Sequence, residues 1–276
     1  MGDKKTIVVT GASSGIGNAV ATYLAKRGAK VIGTCRNPAA RIGKADEFFD
    51  MVALDITRDD SVKAAFASIY EGGKAVDALI CCAGMGIAGS VEETSIEEAH
   101  LQMDTNYCGT LRTIKAVLPK FREAGRGRII VMSSLAGVAG IPYQSFYSSS
   151  KFALEGLVEA LRLEVAPFGI DVCLVEPGDF RTGFTDARIK VASYLAKAET
   201  SPYRKGFESA LGQMEHDERA GADPIVIAKL VEKLLEKRKL SVRYGVGSIF
   251  QRLGVRIKNF MPSRLFEAGL KSTYHL

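Results

Sequence analysis

No stretch of this 276-residue sequence holds the ~18 uninterrupted apolar residues that a membrane-spanning helix requires. Met1 to Lys5 lead straight into a strand-like run with no apolar signal-peptide core, so a cytoplasmic chain is expected. Cysteine is sparse and unpatterned. Cys35, Cys81, Cys82, Cys108 and Cys173 are odd in number and lack CxxC spacing, and three of them lie inside apolar runs that read as buried strands. This argues against a disulfide framework and a zinc site and predicts reduced structural thiols. His100, His216 and His275 are scattered and match no ligand spacing, so no metal site is expected. Internal repeats and low-complexity segments are also missing. What is present is ordinary for a soluble enzyme: 47% apolar residues, 25% charged residues and a mean hydropathy of +0.06. That balance excludes a disordered or collagen-like chain, and the length predicts one compact domain over residues 1–276.

Net charge is +6, but its distribution says more than its size. Lys237, Arg238, Lys239, Arg243, Arg252, Arg256, Lys258 and Arg264 fall between 237 and 264 with no acidic residue among them, so the rest of the chain is net acidic. This asymmetry fits either an anionic partner at the C-terminal end or a solvated face with compensation of the cofactor phosphates. Nucleic acid is not the expected partner, because the basic stretch lacks interleaved stacking aromatics and any nucleic-acid-binding motif.

Short apolar runs alternate with longer segments of helical period, the pattern of a parallel sheet wrapped by helices. Strands are predicted at 6–10, 29–34, 51–54, 78–82, 128–132, 170–175 and 240–244, and helices at 15–27, 59–71, 96–122, 147–167 and 224–238. The strands are nearly continuous in apolar residues rather than alternating, as expected when helices cover both sheet faces. Asp223 before Pro224 reads as a helix N-cap followed by proline. Residues 183–222 are long, polar and mixed, and are expected to carry short helices over the carboxyl edge of the sheet as a substrate lid. A C-terminal helical extension is expected over 248–276. Its apolar residues Ile249, Phe250, Leu253, Ile257 and Phe260 recur at helical spacing, with Arg252, Arg256 and Lys258 outside that stripe. The stripe has two candidate uses: core over the substrate pocket, or contact with an anionic membrane surface.

The first predicted strand runs into Gly11-Ala12-Ser13-Ser14-Gly15-Ile16-Gly17 and then a helix. A glycine-rich turn at a helix N-terminus lets backbone N–H groups and the helix dipole approach a pyrophosphate. The literal GxGxxG pattern does not fit, since Val20 stands where a third glycine would be needed. Tyr147 and Lys151 are four residues apart on a predicted helix, so both side chains project from one face, where an ammonium favours the phenolate form of a tyrosine.

The spacing TGxxxGxG, Ala83-Gly84 after the fourth strand, and Tyr147-Ser148-Ser149-Ser150-Lys151 together resemble the short-chain dehydrogenase/reductase family, in its retinol and hydroxysteroid dehydrogenase-like branch. The resemblance implies a single Rossmann-type α/β fold, a doubly wound parallel sheet of about seven strands with helices on both faces. It also implies a nicotinamide cofactor at Gly11, Ser13, Ser14, Gly15, Ile16, Gly17, Ala83 and Gly84. In this resemblance Tyr147 is the general acid/base, and Lys151 lowers its pKa and binds the nicotinamide ribose. The family tyrosine follows its catalytic serine by thirteen positions, which selects Ser134 over Ser133. Asn106 matches the asparagine that anchors a water chain to the lysine and, like Tyr147 and Lys151, adjoins the cofactor. Pro177, Gly178, Phe180 and Thr182 match the stretch beside the carboxamide, and Asp55, followed by Ile56, matches the adenine position.

Where a carboxylate would bind the ribose hydroxyls of the unphosphorylated cofactor, this chain reads Cys35-Arg36-Asn37, and an arginine there favours NADP. One departure stands out. Many family members read Asn-Asn-Ala-Gly where this chain has Cys81-Cys82-Ala83-Gly84, which puts cofactor affinity and local rigidity in question. The expected activity is an NADP-dependent interconversion of a secondary alcohol with a ketone, or of an aldehyde, on a hydrophobic small molecule, by a homo-oligomer (dimer or tetramer). A nucleotide-sensing protein with little turnover is the alternative, disfavoured because sensing has no need of a proton relay.

Overall fold

We describe the protein from a computed structural model covering residues 5–41, 48–71 and 75–276. Residues 1–4, read above as leading into the first strand, lie outside the described residues. In chain order the elements are β1 Thr6–Thr10, α1 Gly15–Lys26, β2 Lys30–Cys35, β3 Asp50–Ala53, α2 Asp59–Tyr70, β4 Ala78–Cys81, β5 Ile87–Ala88, α3 Ile96–Met103, α4 Gly109–Ala124, β6 Gly127–Met132, α5 Ser145–Val165 and β7 Ile170–Pro177. Then come α6 Phe184–Ala187, β8 Ile189–Lys190, α7 Ala192–Lys197, α8 Arg204–Ala220, α9 Ile225–Glu236, β9 Arg243–Val246, α10 Ile249–Ile257 and α11 Ser263–Tyr274.

Seven strands form one parallel sheet in the order β3-β2-β1-β4-β6-β7-β9. The chain therefore winds outward in one direction through β3, then restarts beside β1 at β4 and winds the other way. At this reversal the loops leaving β1 and β4 diverge and open a crevice at the carboxyl edge. Strand periodicity sorts the core into two layers. Ile7 and Val9 pack with Val20, Leu24, Ile227 and Val231 of α1 and α9, whereas Val8 packs with Ile114, Val117, Leu154 and Val158 of α4 and α5. A strand buried on both faces must be apolar at every position, which is why the runs did not alternate.

The sequence-based boundaries hold to within a few residues, with three differences of substance. The predicted helix 96–122 is one run interrupted by a π-helical turn, Asp104–Cys108, which places the side chain of Asn106 inward. A capping box starts it: Ser95 Oγ accepts from Glu98 N while Glu98 Oε2 accepts from Ser95 N. The segment 183–222 contains the 17-residue α8 as well as short helices. It is tied back by a small parallel pair, β5 with β8, that its mixed composition did not announce. Finally, the apolar stripe of α10 is not core: Phe250 is 87% and Phe260 91% exposed. Pro224 rather than Asp223 takes the N-cap position of α9, and Asp223 Oδ1, one residue earlier, accepts from Ile225 N at 2.8 Å. Among the described residues no helix is long and apolar enough to cross a membrane, and no His/Cys/Asp/Glu group could hold a metal ion.

Candidate active site

The turn after β1 is shaped by steric necessity. Gly15 has φ +54°, a left-handed conformation that disfavours side chains, and a Cβ there would meet only Thr182, at 3.5 Å across an open cleft. A Cβ on Gly17 would collide with the Gly11 carbonyl, and one on Gly11 would come within 2.7 Å of Ala83 Cα. The turn is thus packed tightly on its protein side and open on its cleft side. Ser14, at the N-cap of α1, makes no side-chain cap bond, and the first turn carries no acidic residue. Free helix N–H groups facing a cleft without carboxylates fit a pyrophosphate.

The Cys81-Cys82 departure is compensated by Thr10. Its Oγ1 accepts from Cys82 N at 3.1 Å and Ala83 N at 3.2 Å, so the turn is held without the missing amides. Cys81 is buried, and burial pushes its thiol up to about 12; burial raises the Cys82 thiol as well. Both sulfurs stay protonated and inert at neutral pH.

At the end of β2, Arg36 and Asn37 are exposed. Burial alone would raise the carboxyl of Asp55. Hydrogen bonds from the Thr57 N–H at 3.0 Å and the Thr57 hydroxyl at 2.7 Å, with the charges of Arg36 and Arg58, hold it below its ordinary value instead. Ile56 and Phe180 turn their side chains into the core, so only their backbones can line a cofactor cleft.

Around the end of β6 the two serines separate. Ser133 is buried and its Oγ donates to Glu155 Oε1. Ser134 caps a short 3-10 turn by accepting from Ala136 N at 3.1 Å, and its hydroxyl faces Tyr147. Burial pushes the Tyr147 phenol up to about 12, with the Ser134 hydroxyl working against that rise, so the lowering by Lys151 that the resemblance implies is outweighed by burial here. Lys151 is buried, lies 5.7 Å from the Tyr147 ring centroid and donates from Nζ to the Met132 carbonyl at 2.8 Å. Burial pulls its ammonium down to about 8, opposed by Cys82 and Glu155. Asn106 is buried: its Oδ1 accepts from Met85 N at 2.9 Å, and its Nδ2 donates to the Met85 carbonyl and Ser150 Oγ, each at 3.0 Å. A Cβ on Gly84 would touch Asn106 Oδ1 at 3.2 Å and Lys151 Nζ at 4.0 Å, so Gly84, Asn106 and Lys151 share one corner. Pro177 is buried, and Gly178 gives its N–H to the Val246 carbonyl at 2.7 Å.

Within the segment expected to form a lid, sequence reasoning did not single out the two residues that roof this site. The Phe184 ring stacks obliquely on Tyr147 at 5.7 Å, and the Arg188 guanidinium lies 5.6 Å from the Phe184 ring. Arg188 is buried and pairs with Glu218, while its Nε and Nη1 have no hydrogen-bond partner among the described residues. Phe184 and Arg188 lie four residues apart, but their contacts with Tyr147 and Glu218 join elements far apart in the chain, and no local pattern could announce those.

A doubly wound sheet, a glycine cradle at the switch point and a tyrosine–lysine helix beside it make the layout of a dinucleotide-dependent oxidoreductase. Residues 5–191 match the short chain dehydrogenase family, and the chain belongs to it. It is 42% identical over 268 residues to 3-ketodihydrosphingosine reductase of Bacteroides thetaiotaomicron, covering 97% of each chain. It is 33% identical to estradiol 17-beta-dehydrogenase 1 of Rattus norvegicus over 88% of this chain and 73% of that one. Among solved structures, an alcohol dehydrogenase from Thermococcus sibiricus complexed with 5-hydroxy-NADP superposes with a TM-score of 0.72 at 27% identity, over 91% of this chain and 99% of that one.

Proposed function

We propose that this oxidoreductase is NADP(H)-dependent and interconverts a ketone and a secondary alcohol on a hydrophobic substrate that also carries a polar group. The observation that supports this most is the convergence of Ser134, Tyr147 and Lys151 beside the cradle. When bound, the nicotinamide supplies the hydride. Its pyrophosphate would rest on the turn of Gly11, Ser13, Ser14, Gly15, Ile16 and Gly17, and its adenosine end near Arg36, Asn37 and Asp55. Arg36 is well placed for a 2′-phosphate, because an exposed guanidinium makes a forked, charged contact with one.

Ser134 and Tyr147 donate hydrogen bonds to the substrate oxygen as negative charge grows there. Tyr147 then transfers its proton to that oxygen. A phenol titrating near 12 keeps its proton at neutral pH, the state that reduction needs. Lys151 stabilises the phenolate left behind and holds the ribose, and Asn106 positions this corner by pinning Met85 and Ser150. The segment 183–222 closes over the substrate. The two unpartnered nitrogens of Arg188 call for an oxygen acceptor on the substrate, and Phe184 calls for an apolar remainder. A ketone on a long alkyl chain, the class suggested by the name of the 42% identical relative, meets both demands.

The test follows absorbance at the nicotinamide band with long-chain, steroid, retinoid and sugar carbonyls against NADPH and NADH. Long-chain ketones with NADPH are expected to turn over best. Arg36→Ala should weaken NADPH binding roughly tenfold or more while sparing NADH, from the loss of a charged hydrogen bond. Tyr147→Phe should lower turnover by about 10² or more with cofactor binding intact. Equal affinity of the parent protein for both cofactors, or activity retained by Tyr147→Phe, would overturn the respective assignment.

A further inference from the structure

The C-terminal helices are arranged inside out. α10 docks on the body through its polar side: Gln251 Nε2 donates to Asp179 Oδ2, and Lys258 Nζ donates to the Val138 carbonyl at 2.7 Å and lies 5.3 Å from the Phe152 ring. Arg252 also turns inward, its stem lying over Gly245. The apolar side faces away from the protein, with Ile249, Phe250, Leu253 and Phe260 exposed and Leu265 of α11 exposed beyond them. A soluble chain gains nothing by presenting two phenylalanines to water at the end of a well-capped helix, and such a patch marks a contact surface.

We propose that this face docks on an anionic lipid bilayer, with Phe250 and Phe260 entering the headgroup–acyl boundary. Charge selects this occupant over a second copy of the chain. On the same two helices as the apolar side chains, Arg256, Arg264 and Lys271 are exposed against one exposed acid, Glu267, so the exposed charge of α10 and α11 is net positive. A two-fold contact through this face would set that net positive charge against itself, whereas an anionic surface complements it. Each basic residue brought to such a surface strengthens partitioning roughly fivefold, and each inserted phenylalanine about tenfold. α10 packs beside the turn Leu135–Gly137 and against Gly178, next to Ser134, so the docked face lies at the rim of the candidate site. On the proposed function, a lipid-soluble ketone would enter from that side. The docking itself does not depend on that reading.

Co-sedimentation tests it without any turnover measurement. The full chain should pellet with vesicles of equimolar phosphatidylglycerol and phosphatidylcholine, stay in the supernatant with pure phosphatidylcholine, and lose binding as salt screens the charges. Phe250→Ser with Phe260→Ser removes exposed side chains only. It should lower vesicle binding by about a hundredfold, with the melting temperature, the elution volume and the reduction of a water-soluble ketone unchanged. The proposal is overturned if the parent protein fails to bind the anionic vesicles, binds both vesicle types equally, or binds undiminished after the double substitution. It is also overturned if that substitution converts an oligomer to a smaller species, which would give the face to a second copy.

Discussion

Two neighbouring serines should fail in opposite ways when each is changed to alanine. Ser133 Oγ donates to Glu155 Oε1, a carboxylate 5% exposed whose other oxygen accepts from Arg243 Nε at 2.7 Å. A Cβ on Gly137 would lie 2.7 Å from Ser133 Oγ and 3.2 Å from Glu155 Oε1, so the surroundings are too tight for a water to replace the hydroxyl. Ser133→Ala therefore strands half of a buried carboxylate, at a cost of about 1.5–3 kcal/mol in stability, and leaves the chemistry alone. Ser134 is half-buried and its structural duties are a 3.1 Å cap bond accepted from Ala136 N and a long 3.5 Å bond donated to the Pro177 carbonyl, so Ser134→Ala should cost about 1 kcal/mol. Its proposed duty is to donate to the oxygen on which charge develops, and losing one such donor lowers turnover by about 10²–10³. Thermal unfolding by circular dichroism and NADPH oxidation with the best ketone separate the two effects. A Ser133→Ala protein that loses as much rate as Ser134→Ala, or a Ser134→Ala protein within tenfold of the parent, would refute the assignment.

Other outcomes follow from the same geometry. Because burial pulls Lys151 down to about 8 while Tyr147 keeps its proton to about 12, the rate of ketone reduction should fall as pH rises through about 8; a profile flat from pH 7 to 9.5 would contradict this. Glu176 is raised to about 7 by burial and then by Glu155, against Arg243 and Arg256. Between about 4.5 and 7 the folded state holds a proton that the unfolded chain has released, so this group's contribution to stability declines as pH rises through that window. Glu176→Gln should therefore stabilise the protein by up to about 3 kcal/mol at pH 8 and little at pH 4.5, read from melting temperatures at both. Gly17→Ala should destabilise the protein and weaken cofactor binding, because its Cβ would strike the Gly11 carbonyl. Gly156→Ala, in the exposed middle of α5 with nothing near its Cβ, should stabilise by about 0.5–1 kcal/mol, and calorimetry on the pair compares them directly.

The sheet was legible because each strand is a short apolar run bounded by turn residues, and a residue's pull toward burial is local information. The cradle was legible for a related reason: Gly11, Gly15 and Gly17 are steric requirements written into seven consecutive positions. Tyr147 and Lys151 could be paired because helical spacing alone brings them to one face. Asn106 was harder. Mid-helix asparagines are commonly exposed, and only the π-helical turn, which inserts one extra residue per turn, points it at Met85 and Ser150.

By itself the sequence determined the order of strands and helices, the position of the phosphate turn and the one-face pairing of Tyr147 with Lys151, since each depends on residues adjacent or one helical turn apart. Tertiary structure alone decided that Ser133 serves Glu155, that Thr10 holds the turn where Cys81 and Cys82 replace the usual amides, and that Phe184 and Arg188 roof the site. It also decided the orientation of α10. Helical periodicity shows that a helix has an apolar and a basic side, but which side faces the protein depends on the partners met there, and Asp179 and the Val138 carbonyl claim the polar one.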